Sequence, residues 1–84
     1  MKINIISIKG EQVTITLEEK DYEFIRWRAG HHLYRGFTCD PETAVKLALA
    51  EIARKQGTWI MFLAEEQPEE TTQLIKELAG KLCW

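Results

Sequence analysis

The segment from Arg26 to Arg35 (RWRAGHHLYR) holds three arginines, two histidines and no acidic residue. Arginine binds carboxylates and phosphates through paired N–H donors, and histidine changes its charge near neutral pH. The whole chain has 11 Lys+Arg and 13 Asp+Glu, a formal charge of −2, and without this segment 8 basic and 13 acidic residues remain, or −5. The sequence therefore predicts a cationic contact surface on an otherwise acidic protein.

Such a surface suits two classes of partner. It can bind an acidic protein, or, with Phe24 and Tyr34 beside it, contact phosphates and stack on unpaired bases. The acidic remainder of the chain favours the protein over single-stranded nucleic acid. A third interpretation is a solvated segment whose arginines pair with glutamates such as Glu18, Glu19 and Glu23, at about 0–1 kcal/mol per exposed pair. The predicted contact residues are Arg26, Arg28, His31, His32 and Arg35.

Evidence for catalysis or metal binding is weak. His31 and His32, with Cys39 and Cys83, are the ligand types of a zinc site, but no closely spaced cysteine pair is present. Cys39 precedes a predicted helix, whose N-terminus lowers a thiol pKa, so a thiol enzyme with a histidine base is the weaker alternative. The single serine, Ser7, lies in no nucleophile motif, and the glycines form no phosphate loop. We expect no enzyme, cofactor or metal.

The composition is that of a globular protein, with 84 residues, 45% of them hydrophobic and 29% charged. This length suits one domain spanning residues 1–84. The longest apolar run, Trp59 to Ala64, is far shorter than the roughly 18 residues that a membrane span needs. The two cysteines are too few for a disulfide framework, and the N-terminus lacks a secretory pattern. We expect a cytoplasmic protein with reduced thiols and no membrane partner.

The elements that position the cationic segment are predicted to be strands. Strands are expected at 2–8 and 12–17, where β-branched residues are frequent or alternate with threonine, with Gly10 in the turn. Alternation predicts further strands at 22–29 and 33–38, joined by a hairpin tip at Gly30. The cationic segment would then form a hairpin.

The second half switches to helical spacing. Asp40 followed by Pro41 is typical of a helix start, with Thr38 as the other candidate for the cap, and Gly57 is typical of a helix end, which predicts a helix over 41–56. A strand is expected at 58–64, and a last helix from Pro68 to about residue 82. The predicted order is β-β-β-β-α-β-α, an α+β fold with a mainly antiparallel sheet of four to five strands and two helices.

In residues 2–8 and 58–64, apolar side chains occur at odd and at even positions, so both faces of each predicted strand are apolar. This pattern indicates that the two strands are neighbours near the centre of the sheet and are covered on both faces, by the last helix or by a second subunit. Leu47, on the side of its helix away from Val45, and Trp84 at the C-terminus are two further apolar contact candidates. We therefore expect a small intracellular, non-enzymatic protein-interaction module, an adaptor or inhibitor or a homodimer. The alternative is a single-stranded nucleic-acid-binding domain.

Overall fold

The first two strands form an antiparallel hairpin. A computed structural model describes residues 1–82, in which β1 spans Lys2–Ile6 and β2 spans Gln12–Thr16. Gly10 has a φ of +88°, the left-handed conformation that the turn requires. On the exposed face, the Thr14 hydroxyl donates to Asn4 Oδ1 at 2.6 Å. The opposite face supplies the buried residues Ile3, Ile5, Ile15 and Leu17. Both predicted strands are confirmed, each slightly shorter than expected.

The next element is a helix, α1 (Glu19–Tyr34). At its start the Asp21 carboxylate accepts the Glu18 N–H at 2.7 Å, which satisfies one backbone donor ahead of the first turn. The side chains that α1 buries have helical spacing and are Ile25, Ala29 and His32.

The predicted strands at 22–29 and 33–38, and the hairpin between them, are therefore wrong. Residues 26–34 lie inside α1, and Gly30 is a helical residue, not a hairpin tip. The error has a physical cause, because α1 carries aromatic side chains on its exposed face as well as apolar side chains on its buried face. Trp27 is exposed while Ile25 is buried, and in the sequence the two mimic a strand face.

The second helix, α2, spans Pro41–Lys55 and confirms the prediction closely. Asp40 caps it by accepting the Glu42 N–H at 3.3 Å and the Thr43 hydroxyl at 2.6 Å. The hydrogen bond from Thr43 holds the pKa of Asp40 below its ordinary value. Gly57, with a φ of +95°, ends the helical segment as expected. The buried residues of α2 are Ala44, Val45, Ala48, Leu49, Ala50, Ile52 and Ala53.

The last helix, α3, spans Glu69–Gly80 and begins directly after Pro68, as predicted. It buries Thr71, Ile75 and Leu78. The Thr71 hydroxyl donates to the Asn4 carbonyl at 2.6 Å, which joins α3 to the outer edge of β1.

The predicted strand at 58–64 is wrong, although this segment lies beside β1. It forms one antiparallel bridge, between Ser7 and Leu63. The hydrogen bonds around it run from Ile8 N–H to Phe62 O at 3.0 Å and from Ala64 N–H to Ile6 O at 2.9 Å. Beyond it, the amide side chain of Gln67 pairs with both backbone groups of Ile6, and this ends the ladder.

The element order is β-β-α-α-α, so the predicted sheet of four to five strands with two helices is wrong. All five elements contribute to one hydrophobic core, and α2 packs against both α1 and α3. The outward face of the hairpin is open, with Lys2, Asn4, Thr14 and Thr16 exposed. The last helix therefore does not cover this face of β1, and cover by a second subunit stays a prediction. Within residues 1–82, no helix is long and apolar enough to cross a membrane.

Candidate functional site

An ion pair joins α1 to α2. The Arg28 guanidinium donates to both carboxylate oxygens of Glu51, from Nε at 2.7 Å and from Nη2 at 2.8 Å. One turn away, the ammonium of Lys55 lies 3.7 Å from the centre of the Phe24 ring. Phe24 lies four residues before Arg28 on α1, whereas its partner Lys55 lies four residues after Glu51 on α2. The two helices therefore run antiparallel.

Glu51 is held ionised by its neighbours. Burial alone raises the pKa of Glu51, but the hydrogen bond and charge of Arg28, with the charges of His32 and Arg54, lower it below its ordinary value. The same hydrogen bond raises the pKa of Arg28. Arg54 lies 3.8 Å from Glu51 and also donates to the Ile60 carbonyl at 2.8 Å. Because Arg28 and Arg54 stabilise the ionised form of Glu51, this carboxylate is a poor candidate for a general base.

A line of rings follows one face of α1. Phe24, Trp27, His31 and Tyr34, here called the aromatic stripe, are spaced by three, four and three residues. The ring centres of Phe24 and Trp27 are 6.2 Å apart, and those of Trp27 and His31 are 5.9 Å apart and nearly parallel. Trp27 is 63% exposed and Tyr34 is 89% exposed. Phe24 and His31 are half-buried, so the stripe combines two largely exposed rings with two partly exposed ones. Several aromatic side chains exposed along one helix face are characteristic of binding surfaces, whereas single exposed apolar residues are ordinary.

Beside the stripe lies an open groove of about 510 Å³, here called the α1–α2 groove. Its lining combines three aromatic rings, three cations and one acid: Phe24, Trp27, Trp59, Arg28, Arg54, Lys55 and Glu51. Trp59, in the segment that follows α2, is 88% exposed. Since Glu51 is neutralised by Arg28, the groove presents a net positive charge next to exposed aromatic surface.

The structure brings together some of the predicted contact residues. Arg28 lines the groove, His31 belongs to the aromatic stripe, and Leu47 is half-buried. Leu47 lies one turn before Glu51 on α2, so helical spacing places it on the same side as the groove. Arg26 lies elsewhere, in a shallow depression between α1 and the end of α3.

The remaining predicted contact residues lie outside this surface or outside the described chain. Arg35 is exposed at the C-terminal end of α1. Trp84 lies outside the described residues, as does Cys83. His32 is only 8% exposed, and neither ring nitrogen has a hydrogen-bond partner among the described residues. Burial, followed by the charge of Arg28, lowers the pKa of His32.

The described residues provide no metal site. Within residues 1–82, no group of three or more histidine, cysteine or acidic side chains could hold an ion. Cys39 is exposed in the loop between α1 and α2. The His31 ring lies against Trp27, and the His32 ring meets Phe37 edge-on at 5.7 Å.

Sequence reasoning missed several groove residues, namely Trp27, Glu51, Arg54, Lys55 and Trp59. Two signals were available. The 3-4-3 spacing of the aromatic stripe is a helical pattern, and the spacing of Leu47, Glu51 and Arg54 places them on one face of α2. Comparison of the chain with protein-family models, with curated proteins and with solved structures finds no match.

Proposed function

We propose that this protein is a non-enzymatic interaction module that binds a partner protein through the aromatic stripe and the α1–α2 groove. The observation that carries the proposal is the pair of largely exposed tryptophans, Trp27 on α1 and Trp59 after α2, that line an arginine-containing groove beside the aromatic stripe. Tryptophan, tyrosine and arginine are the residues most enriched at the energetic centres of protein interfaces.

The exposed area of the tryptophans is large enough to provide affinity. A tryptophan side chain can bury up to about 250 Å², and apolar burial stabilises by about 25 cal/mol per Å². Covering the exposed parts therefore contributes roughly 2–4 kcal/mol for Trp27 and about 3–5 kcal/mol for Trp59, before the costs of association are subtracted. Values of this size are typical of residues that dominate an interface.

The surface is also partly ordered before binding. Trp27 is held between the rings of Phe24 and His31, and Arg28 is held by two hydrogen bonds to Glu51. Side chains that are fixed in advance lose less conformational entropy when a partner binds.

A second candidate function is the binding of single-stranded nucleic acid. The exposed rings of Trp27 and Trp59 can stack on bases, and Arg54 and Lys55 can contact phosphates. Against this, a single strand carries one charge per nucleotide and needs a cationic track for several phosphates, whereas the groove holds three cations and one acid, a net of about two positive charges, on a chain of formal charge −2. The observations therefore favour a protein partner.

The proposal is tested by comparative affinity capture from an extract of the source cells. The wild-type chain, a Trp27→Ala/Trp59→Ala variant and an Ile8→Ala control are immobilised, and captured proteins are quantified by mass spectrometry. Ile8 is an exposed apolar residue in the turn of the hairpin and does not line the groove. We expect at least one protein to be captured by the wild type and the control and reduced tenfold or more with the double variant, since two central anchors are lost.

Circular dichroism melting confirms that all three proteins are folded. Equal capture by all three proteins, or no protein captured above background, contradicts the proposal.

A further inference from the structure

We propose that the partner segment in the α1–α2 groove is an acidic amphipathic helix of about three turns, supplied by another protein. This inference rests on the proposed function and names the chemistry of the partner. Its three supports are the charge of the groove, the shape of the groove and the spacing of the aromatic stripe.

Charge selects an acidic occupant. In the groove, three cations face the single acid Glu51, which pairs with Arg28 and lies 3.8 Å from Arg54, so a net positive charge remains and Lys55 is the cation that has no acidic partner in the lining. Lys55 is exposed, and its ammonium lies over Phe24, where a carboxylate can reach it beside an apolar ring. Because the chain as a whole is at −2, this positive groove is a local reversal of sign, and such reversals give electrostatic complementarity.

Shape selects a helix. The depression between two antiparallel helices is where a third helix packs, with axes about 8–10 Å apart. The aromatic stripe has the 3-4-3 spacing of residues that one helix presents to another. Recognition of this kind uses apolar residues of the bound helix at i, i+3 or i+4, and i+7. Those residues would cover the rings of Phe24, Trp27 and Trp59, while acidic residues on the flank would meet Arg54 and Lys55.

Length sets the size and strength of the contact. The groove is lined on α1 by residues 24–28, and the stripe continues beyond it to Tyr34. A helix that lies in the groove and along the rest of the stripe would span ten residue steps, or about 15 Å at roughly 1.5 Å per residue. A bound helix of about 10–14 residues matches this length. Such a contact falls in the smaller interface class, below about 1,200 Å² in total, so we expect a dissociation constant in the micromolar range, about 1–100 µM.

The experiment is a selection from a displayed library of 14-residue helical peptides, using the full chain as bait. The library fixes leucine or phenylalanine at positions 1, 4, 8 and 11 and randomises all other positions. Selected peptides are synthesised, and their affinities are measured by fluorescence anisotropy for the wild type and for three variants. Lys55→Glu reverses a groove charge, Lys76→Glu makes the same change at an exposed site on α3, and Trp27→Ala removes the central ring.

The proposal expects selected peptides to be enriched in Asp and Glu at the randomised positions. Their affinity should fall tenfold or more in Lys55→Glu and in Trp27→Ala, and less than twofold in Lys76→Glu. Raising the salt concentration from 50 to 200 mM should weaken their binding, because the exposed charges become screened.

The alternative outcomes separate this inference from the proposed function. Peptides that need Trp27 but are not acidic, or that bind Lys55→Glu normally, overturn the acidic helix and leave the protein-interaction function standing. If no selected peptide depends on Trp27, the acidic helix is overturned at this surface, and the capture experiment decides the function separately.

Two other occupants are assayed in parallel with the same variants. Salt-sensitive binding of a 12-nucleotide deoxythymidine oligomer that requires Trp27 and is tighter than that of any selected peptide overturns the inference in favour of nucleic acid. A wild-type dimer in sedimentation equilibrium that becomes a monomer in Trp27→Ala overturns it in favour of a second copy of this chain.

Discussion

At the scale of single residues, the Arg28–Glu51 pair and His32 differ in whether their polar atoms have hydrogen-bond partners. Arg28 and Glu51 satisfy each other with two short hydrogen bonds, so their burial is compensated. His32 is buried without a hydrogen-bond partner for either ring nitrogen among the described residues. A buried polar group in this condition destabilises the folded state by about 1–3 kcal/mol compared with a well-packed apolar group.

The first prediction concerns the pH dependence of stability that His32 introduces. The folded-state pKa of His32 is lowered by burial and by the charges of Arg28 and His31, which outweigh the attraction of Glu51. At about one pH unit or more above the ordinary pKa of about 6.5, the histidine is neutral in both states and contributes no slope. As the pH falls below about 6.5, the unfolded chain binds the proton first, so the free energy of unfolding decreases until the lower folded-state pKa is reached.

Replacing His32 by leucine should remove this decrease and stabilise the protein by about 1 kcal/mol or more at pH 7. Urea denaturation of the wild type and His32→Leu between pH 5 and 8 measures both effects. His31→Gln is the matched control, because it replaces a half-exposed histidine and leaves burial and the charge of Arg28, the two larger causes of the lowered His32 pKa, so most of the decrease should remain. If the free energy of unfolding of His32→Leu decreased with falling pH as much as that of the wild type, groups other than His32 would be the cause of the decrease.

At the scale of secondary-structure elements, local signals predicted the parts of the fold that local physics determines. The alternating hairpin strands, the Asp40 cap and the Gly57 terminus all appear where they were expected. The helix α1 was missed because its exposed aromatic stripe conceals the periodicity of its buried face. The prediction of a strand at 58–64 was wrong for another reason. Whether an apolar segment forms a strand depends on the segments that pack beside it as well as on its own composition.

Two glutamines replace the missing strands at the edges of the hairpin. Gln67 accepts from the Ile6 N–H at 2.8 Å and donates to the Ile6 carbonyl at 2.8 Å. Gln56 makes the same pair of contacts with Thr16 on β2, at 3.1 Å and 2.7 Å. Each side-chain amide supplies the donor and the acceptor that a neighbouring strand would provide, which explains how a two-stranded sheet satisfies these edge groups.

The second prediction follows from the different burial of these two contacts. Gln67→Ala leaves the partly buried Ile6 N–H without a partner, whereas the Ile6 carbonyl keeps its hydrogen bond from the Ala64 N–H, and should lower the free energy of unfolding by about 1–3 kcal/mol. Gln56→Ala exposes the Thr16 groups to water and should cost less than about 1 kcal/mol. Urea denaturation gives the energies, and amide hydrogen exchange at Ile6 should accelerate only in Gln67→Ala. Gln73→Ala, on the exposed side of α3, is the control, and an equal loss in it would contradict the assignment.

At the scale of the whole molecule, the sequence predicted a segregation of charge but not the surface that results. The cationic segment was identified, yet the groove also needs Glu51, Arg54 and Lys55 from α2 and Trp59 beyond it. These residues are distant from α1 in the chain, and only the antiparallel packing of the helices places them together. The candidate site therefore depends on tertiary structure that no local pattern reports.

The last prediction concerns the cooperativity of the fold. Hairpin and helices share one core, in which Ile15 of β2 is 1% exposed and Ile75 of α3 is 1% exposed. Replacing either by alanine should lower the free energy of unfolding by about 2–5 kcal/mol, since each change leaves a cavity. Because a hairpin of two strands is marginal by itself, loss of its packing should affect the helices as well.

Ile15→Ala should therefore shift the helical circular dichroism transition at 222 nm to lower temperature, as Ile75→Ala does, and near-ultraviolet transitions should coincide with it. Val13→Ala, at a half-buried position on the same strand, should cause a smaller shift. A helical transition that stays at the wild-type temperature in Ile15→Ala while amide protection in β1 is lost would show that the hairpin unfolds as a separate unit. In that case the helices alone would hold the α1–α2 groove.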